Sequence, residues 1–125
     1  MEVPARLRYS ANHEWVDDSV EPASVGITAF AASALGDVVY VELPDPGTDL
    51  VAGEVCGEVE STKSVAELYM PVTGRIFEIN EAVVADPSLI GSDPYGEGWL
   101  FRLRMTDPPV LMTADEYRTY LTESH

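Results

Sequence analysis

Apolar residues along this chain fall mostly in strand-like runs, and helical spacing is confined to a few short stretches. Residues 9–18, with His13-Glu14-Trp15-Val16, read as a first strand entering a turn at Asp17-Asp18, and residues 23–27 read as its partner. Thr28 is placed to cap a short helix through Phe30, Ala31, Ala32 and Leu35, which Gly36 stops. The run Val38-Val39-Tyr40-Val41 within residues 37–43 is expected to form a buried strand. Pro44-Asp45-Pro46-Gly47 breaks it. Met70-Pro71-Val72-Thr73-Gly74 predicts a turn, residues 75–80 a strand, and residues 81–85 one helical turn before Pro87. Residues 91–98 read as a loop and residues 99–105 as a last core strand. Thr113 followed by Glu116 is a capping-box pattern for a C-terminal helix carrying Tyr117, Tyr120 and Leu121. The expectation is one mainly β unit over residues 1–125, with a core at about 21–104 and a helical segment at about 113–123.

The centre of this pattern is Gly57-Glu58-Val59-Glu60-Ser61-Thr62-Lys63-Ser64-Val65. Residues 54–60 and 65–69 read as strands, and the hydroxyl-rich Ser61-Thr62-Lys63-Ser64 between them reads as a tight turn. This predicts a β-hairpin with Lys63 at its tip. Gly53 lies ten residues before the lysine and Gly74 eleven after it, so turns at both ends give two similar strand-turn-strand halves. Both glycines are expected to set turn geometry.

Lys63 is the only lysine, set against six arginines. Codon or surface bias produces such a ratio too, but a place at the centre of a near-symmetric hairpin favours an attachment site. An amine on a flexible four-carbon stem suits acylation by a modifying enzyme. A Schiff-base lysine instead needs burial or cationic neighbours, whereas Glu60 and Glu67 flank this one. The residues therefore point to a modified lysine and against a catalytic one.

Composition narrows the alternatives. Seven basic against twenty-two acidic residues give a formal charge of −15, which repels nucleic acid and anionic membrane surfaces and favours partners with basic patches. The same charge also aids solubility. A single cysteine, Cys56, excludes an internal disulfide and suits a reducing compartment; it sits in a strand as a small packed side chain with no role assigned. Two histidines, His13 and His125, supply no metal cluster, and His13 reads as structural. No glycine-rich phosphate loop, membrane-spanning run or signal peptide is present, so a cytoplasmic address is expected, or a mitochondrial matrix for a processed organellar form.

Five strings, taken in order, resemble the H proteins of the glycine cleavage system. They are His13-Glu14-Trp15-Val16; Gly26-Ile27-Thr28; Leu35-Gly36-Asp37-Val38-Val39-Tyr40-Val41-Glu42-Leu43-Pro44; Val59-Glu60-Ser61-Thr62-Lys63-Ser64; and Ser92-Asp93-Pro94-Tyr95-Gly96-Glu97-Gly98-Trp99-Leu100. The resemblance runs from about residue 9 to the C-terminal helix. It implies a lipoyl/biotinyl-type barrel-sandwich hybrid with short helices at its margins, and lipoate joined by an amide to Lys63. Thr62 and Ser64 beside the lysine favour lipoyl over biotinyl, whose lysines are typically flanked by methionines.

The resemblance further implies a non-catalytic shuttle. Glycine decarboxylase (the P protein) transfers an aminomethyl group to the lipoyl sulfur, the aminomethyltransferase (T protein) passes the one-carbon unit to tetrahydrofolate, and dihydrolipoamide dehydrogenase (L protein) reoxidises the dithiol. A lipoate ligase or a lipoyl/octanoyl transferase is implied as the modifying partner, with Glu60 suited to its recognition. Glu14 and Glu67 are expected to help form a water-excluding cleft for the loaded arm, pairing with its ammonium; otherwise each is a solvated acid of a very acidic chain. Glu67 stands where the family often has aspartate, which gives a longer reach with the same charge. H-like carriers that relay lipoate to other 2-oxo acid dehydrogenase complexes share these motifs and form the alternative reading.

Overall fold

Side chains at alternate strand positions bury one face of each strand, and two antiparallel sheets result, packed through those faces. The computed structural model describes residues 2–107 and 110–124. The elements in order are β1 (Arg8–Tyr9), β2 (Glu14–Asp17), β3 (Ala23–Ile27), α1 (Ala29–Leu35), β4 (Val38–Glu42), β5 (Asp49–Leu50), β6 (Val55–Ser61), β7 (Val65–Tyr69), β8 (Gly74–Ile79), α2 (Glu81–Ala85), α3 (Leu89–Ser92), β9 (Phe101–Met105) and α4 (Ala114–Ser124). One sheet has the order β1-β2-β3-β9-β8-β5, the other β4-β6-β7.

The main core lies between the sheets. Val25, Ile27, Ile76, Phe101 and Leu103 come from the larger sheet, Val41, Val59 and Leu68 from the smaller, and Leu35, Val83 and Ile90 from α1, α2 and α3. A second cluster of Val3, Leu7, Tyr9, Trp15, Ala114 and Tyr117 packs α4 against β1 and β2. The lysine hairpin forms as expected, and the strands flanking it pair in the other sheet. β5 and β8 pair with each other in the larger sheet, and β6 and β7 pair in the smaller. The turns joining the sheets are themselves linked, Gly53 N–H donating to the Met70 carbonyl at 2.9 Å and Met70 N–H to Glu54 at 2.8 Å.

Local signals locate the helices. The Thr28 side chain accepts from Ala31 N–H at the start of α1, and Gly36 ends it at φ 82. Thr113 N–H donates to the Glu116 carboxylate at 2.8 Å, and Glu116 N–H donates back to the Thr113 hydroxyl at 3.2 Å, forming the capping box of α4.

Four expectations are corrected. Residues 9–18 are a hairpin of β1 and β2, because Ser10 and His13 close a turn between them: His13 N–H donates to the Ser10 carbonyl at 3.1 Å, and His13 sits at φ 67. β4 is not a buried strand, since a bulge between Val38 and Tyr40 leaves Val39 and Tyr40 55% and 49% exposed. The loop expected at 91–98 begins inside α3, which Leu89 and Ile90 anchor to the core. Gly74 is the first residue of β8 and not a turn residue; a Cβ there would run into the Arg104 carbonyl of the neighbouring β9. Gly53, by contrast, has the turn conformation expected of it, at φ 91. His125 lies outside the described residues.

Trp15 is paired directly with Gly26 across β2 and β3, and the indole covers the glycine. A Cβ at Gly26 would fall 2.6 Å from the Trp15 ring. Gly26→Ala is expected to cost about 1–3 kcal/mol by overpacking, read as a lower urea midpoint at unchanged slope.

Candidate functional site

The tip of the β6–β7 hairpin has no large apolar side chain to anchor it, so hydrogen bonds hold it. The Ser61 hydroxyl accepts the N–H groups of Lys63 and Ser64 at 3.3 and 3.0 Å, while Ser61 N–H donates to the Ser64 carbonyl at 2.8 Å. Thr62 N–H donates to the Asp37 carbonyl at 3.0 Å, tying the tip to the residue pair that follows α1. Lys63 is exposed, and among the described residues none forms an ion pair with it. Its Cε passes 3.6 Å from the position a Cβ would take on Gly36. Gly36 therefore ends α1 and also leaves room for the lysine stem. Its first role was readable from sequence, and the second was not.

Beside the tip lies a cleft of about 270 Å³. Phe30, Ala31 and Ala34 of α1 form one wall, Ser64, Ala66 and Glu67 the other, and His13, Glu14 and Leu68 also line it. The structure thus brings Glu14 and Glu67 to one cleft adjoining the lysine turn. Glu60 is not part of it. That residue lies opposite Tyr40 and Val65 in the smaller sheet, offset by one position from the buried Val59. A larger hollow of about 760 Å³ lies on the other side of α1, bounded by Ser33, Gly36, Ser88 and Ser92, and it holds no buried carboxyl.

Glu14 is only 2% exposed. One carboxylate oxygen accepts the Ser10 hydroxyl at 2.5 Å and the other accepts Tyr69 N–H at 3.3 Å. Burial raises its pKa to about 7, with those two hydrogen bonds pulling the other way. Among the described residues no cation pairs with it. Glu67 is exposed and accepts the Tyr69 hydroxyl at 3.2 Å, so Tyr69 touches both carboxyls, one through its backbone and one through its side chain. Tyr69 escaped the sequence reading, because alternation along β7 marks only its face. Cys56 packs against the core, and burial, followed by the nearby Glu14 charge, pushes its thiol up to about 12, which makes it a poor nucleophile.

The outward face of the smaller sheet is acidic. Glu42, Glu58 and Glu67 stand opposite one another across β4, β6 and β7. The five arginine ion pairs of the described residues all involve other carboxylates: Asp17, Asp49, Glu78, Glu21 and Asp115. Among the described residues no group of histidine, cysteine or acidic side chains is arranged to hold a metal ion, and no helix is long and apolar enough to cross a membrane.

Glu14 takes up a proton more readily in the folded chain than in the unfolded one. Its contribution to stability is therefore complete below its ordinary value of 4.5 and is lost as pH rises through about 7. Relative to Glu14→Gln, the native protein is expected to lose up to about 3 kcal/mol between about pH 5 and 8. Parallel denaturation curves for the two proteins across that range would show an ordinary carboxyl.

Comparison with known proteins agrees with this geometry. A family model described as Glycine cleavage H-protein matches residues 7–124. The glycine cleavage system H protein of Thermobifida fusca is 56% identical, covering 98% of this chain and 98% of its own. That of Streptomyces coelicolor is 56% identical over 96% and 98%. The crystal structure of a glycine cleavage system H protein from Mycobacterium marinum superposes with a TM-score of 0.91 at 46% identity, covering 96% of this chain and 99% of that one. The two sheets and marginal helices are thus those of a lipoyl-type barrel-sandwich hybrid, and the chain belongs to the glycine cleavage H-protein family.

Proposed function

We propose that the chain is a non-catalytic lipoyl carrier of glycine cleavage, with lipoate joined to Lys63 and the cleft beside it serving as the resting place of the loaded arm. The observation that carries this reading is the lone lysine, exposed and without an ion pair among the described residues, on a hydrogen-bonded tip beside a cleft with a buried carboxyl. Those residues fit a lipoyl group: the amine is open to an acylating enzyme, and the cleft walls offer apolar surface for a hydrocarbon arm. When bound, the lipoyl disulfide supplies both the electron acceptor and the attachment point for an aminomethyl group.

The chain's own part is presentation and protection. Lys63 projects from a turn whose backbone is fixed at Ser61 and Asp37, so the arm swings from a set origin. Phe30, Ala31 and Ala34 exclude water along one side of the cleft. Glu14 and Glu67 face the same space and supply negative charge for an arm that ends in an ammonium. In dry surroundings such a charge-assisted contact is strong, and the buried Glu14 gives up its proton most easily when a cation arrives.

Glycine decarboxylase, the aminomethyltransferase and dihydrolipoamide dehydrogenase are the proposed partners, met in transient contacts because one arm must visit all three. Glu60, on the outward acidic sheet close to Lys63, is proposed to be read by the lipoate ligase or lipoyl/octanoyl transferase. The single unpaired cysteine accords with a reducing, cytoplasmic setting.

Tryptic mapping of protein from its own organism is expected to yield an uncut peptide spanning residues 9–75 with the mass of a lipoyl group on Lys63. Lys63→Arg is expected to abolish it. Cleavage after Lys63 with no added mass under lipoate-sufficient conditions would remove the swinging arm from the account. Glu14→Ala and Glu67→Ala are each expected to shorten the time for which the carrier holds its amine by about tenfold, the effect of ~1.4 kcal/mol. Unchanged lifetimes in both variants would exclude the cleft role. Full lipoylation without acceptance of the aminomethyl group would transfer the reading to lipoate relay.

A further inference from the structure

The C-terminal helix reaches both sides of the cleft through one hydroxyl. Tyr117 of α4 is fully buried, its ring stacked on Tyr9 with centroids 4.7 Å apart and planes within 8°. Its Oη shares hydrogen bonds with His13 Nδ1 and with Thr28 Oγ1, each at 2.8 Å. His13 precedes Glu14 and lines the cleft. Thr28 caps α1, its Oγ1 accepting Ala31 N–H at 3.3 Å, and Ala31 lines the opposite wall. The backbone closes the same ring, Thr28 N–H donating to the His13 carbonyl at 3.0 Å.

The strain in this segment gives the contact a purpose. His13 holds φ 67, a left-handed conformation that a non-glycine residue keeps only where its surroundings over-determine it. Its ring also packs on Phe30, with centroids 4.8 Å apart, so the turn carrying Glu14 and the helix wall are in direct contact. A hydroxyl has one proton and can also accept, so Tyr117 satisfies both neighbours by donating to one and accepting from the other. Burial pushes the Tyr117 pKa up to about 12, so it remains a neutral O–H. Pulling the walls apart leaves a buried hydroxyl without its partners, which is costly in a dry interior.

We propose that Tyr117 is a positioning residue for the arm cleft: its hydroxyl ties the His13–Glu14 segment to the N-cap of α1, so that α4 sets the spacing of the two sides. The inference rests on the carrier reading above, because the cleft matters only if an arm enters it. Tyr117 acts through His13 and Thr28 and does not itself line the cleft.

Tyr117→Phe keeps the ring and removes only Oη. Tyr9→Phe removes the other hydroxyl of the same stack, the one donating to the Pro4 carbonyl at 2.6 Å, and so reports generic loss of stability. In protein without the arm, Tyr117→Phe is expected to speed amide exchange at Ala31 at least tenfold and to shift the ¹⁵N signal of His13 Nδ1, which loses its hydrogen bond to Oη. Tyr9→Phe is expected to do neither. With the arm attached and loaded, Tyr117→Phe is expected to lose its amine several-fold faster than the native protein at equal lipoylation. Unchanged exchange at Ala31, unchanged amine loss, or equal acceleration by Tyr9→Phe would each overturn the proposal. If the native protein loses amine no more slowly than Glu14→Gln, the cleft reading fails and this inference with it. The exchange data, taken without the arm, tell that case apart from a failure of the hydroxyl bridge.

Discussion

A buried carboxyl with hydrogen bonds but no cation is the constraint around which this site is arranged. Isolated in a dry interior, Glu14 would be very costly to ionise, so every lone pair it can commit has to meet a donor. The donors come from two places: the Ser10 hydroxyl in the turn between β1 and β2, and the edge N–H of Tyr69 at the end of β7. Meeting both brings the first turn of the larger sheet against the free edge of the smaller one. The cleft lies between that edge and α1. The bond also occupies one exposed donor of an edge strand that would otherwise be open to pairing with another chain.

The distribution of charge follows a matching division. The described arginines that form ion pairs do so away from the smaller sheet, leaving its outward row of Glu42, Glu58 and Glu67 uncompensated. Like charges directly opposed across strands cost stability. Under the carrier reading proposed above, the gain lies outside the free chain, in steering toward partners of opposite charge and in keeping a loaded cation close. Lys63 stands at the end of this row on a tip held by serine hydroxyl and backbone contacts, which leave the amine itself uncommitted.

Local signals carried much of the architecture. The Thr28 cap and Gly36 stop of α1, the Thr113–Glu116 box of α4 and the hairpin around Ser61 each depend on residues within a few positions of one another, and each formed where the pattern placed it. The misses share a cause. The β1–β2 turn hides within an alternating run because its reversal depends on His13 accepting a positive φ, which is held by Phe30 and Tyr117 from elsewhere. The exposure of Val39 and Tyr40 follows from the bulge where β4 meets β6, a partner about twenty positions on, and β-branched residues look the same whether buried or not.

The sequence by itself determined the lone lysine, its turn, the hairpin strands on either side of it and the family to which the motif strings belong, because each of these is carried by residues close together in the chain. Only the tertiary structure decided which of twenty-two acidic residues would be buried. Glu14 became the carboxyl with a pKa near 7 because the packed chain takes it out of water, an effect that the N–H of Tyr69, fifty-five positions away, only partly offsets. The second use of Gly36, the two-sided contacts of Tyr69 and the reach of Tyr117 to Thr28, eighty-nine positions apart, arise in the same way. Desolvation depends on what the rest of the chain brings near a group, and no pattern along the chain encodes that distance.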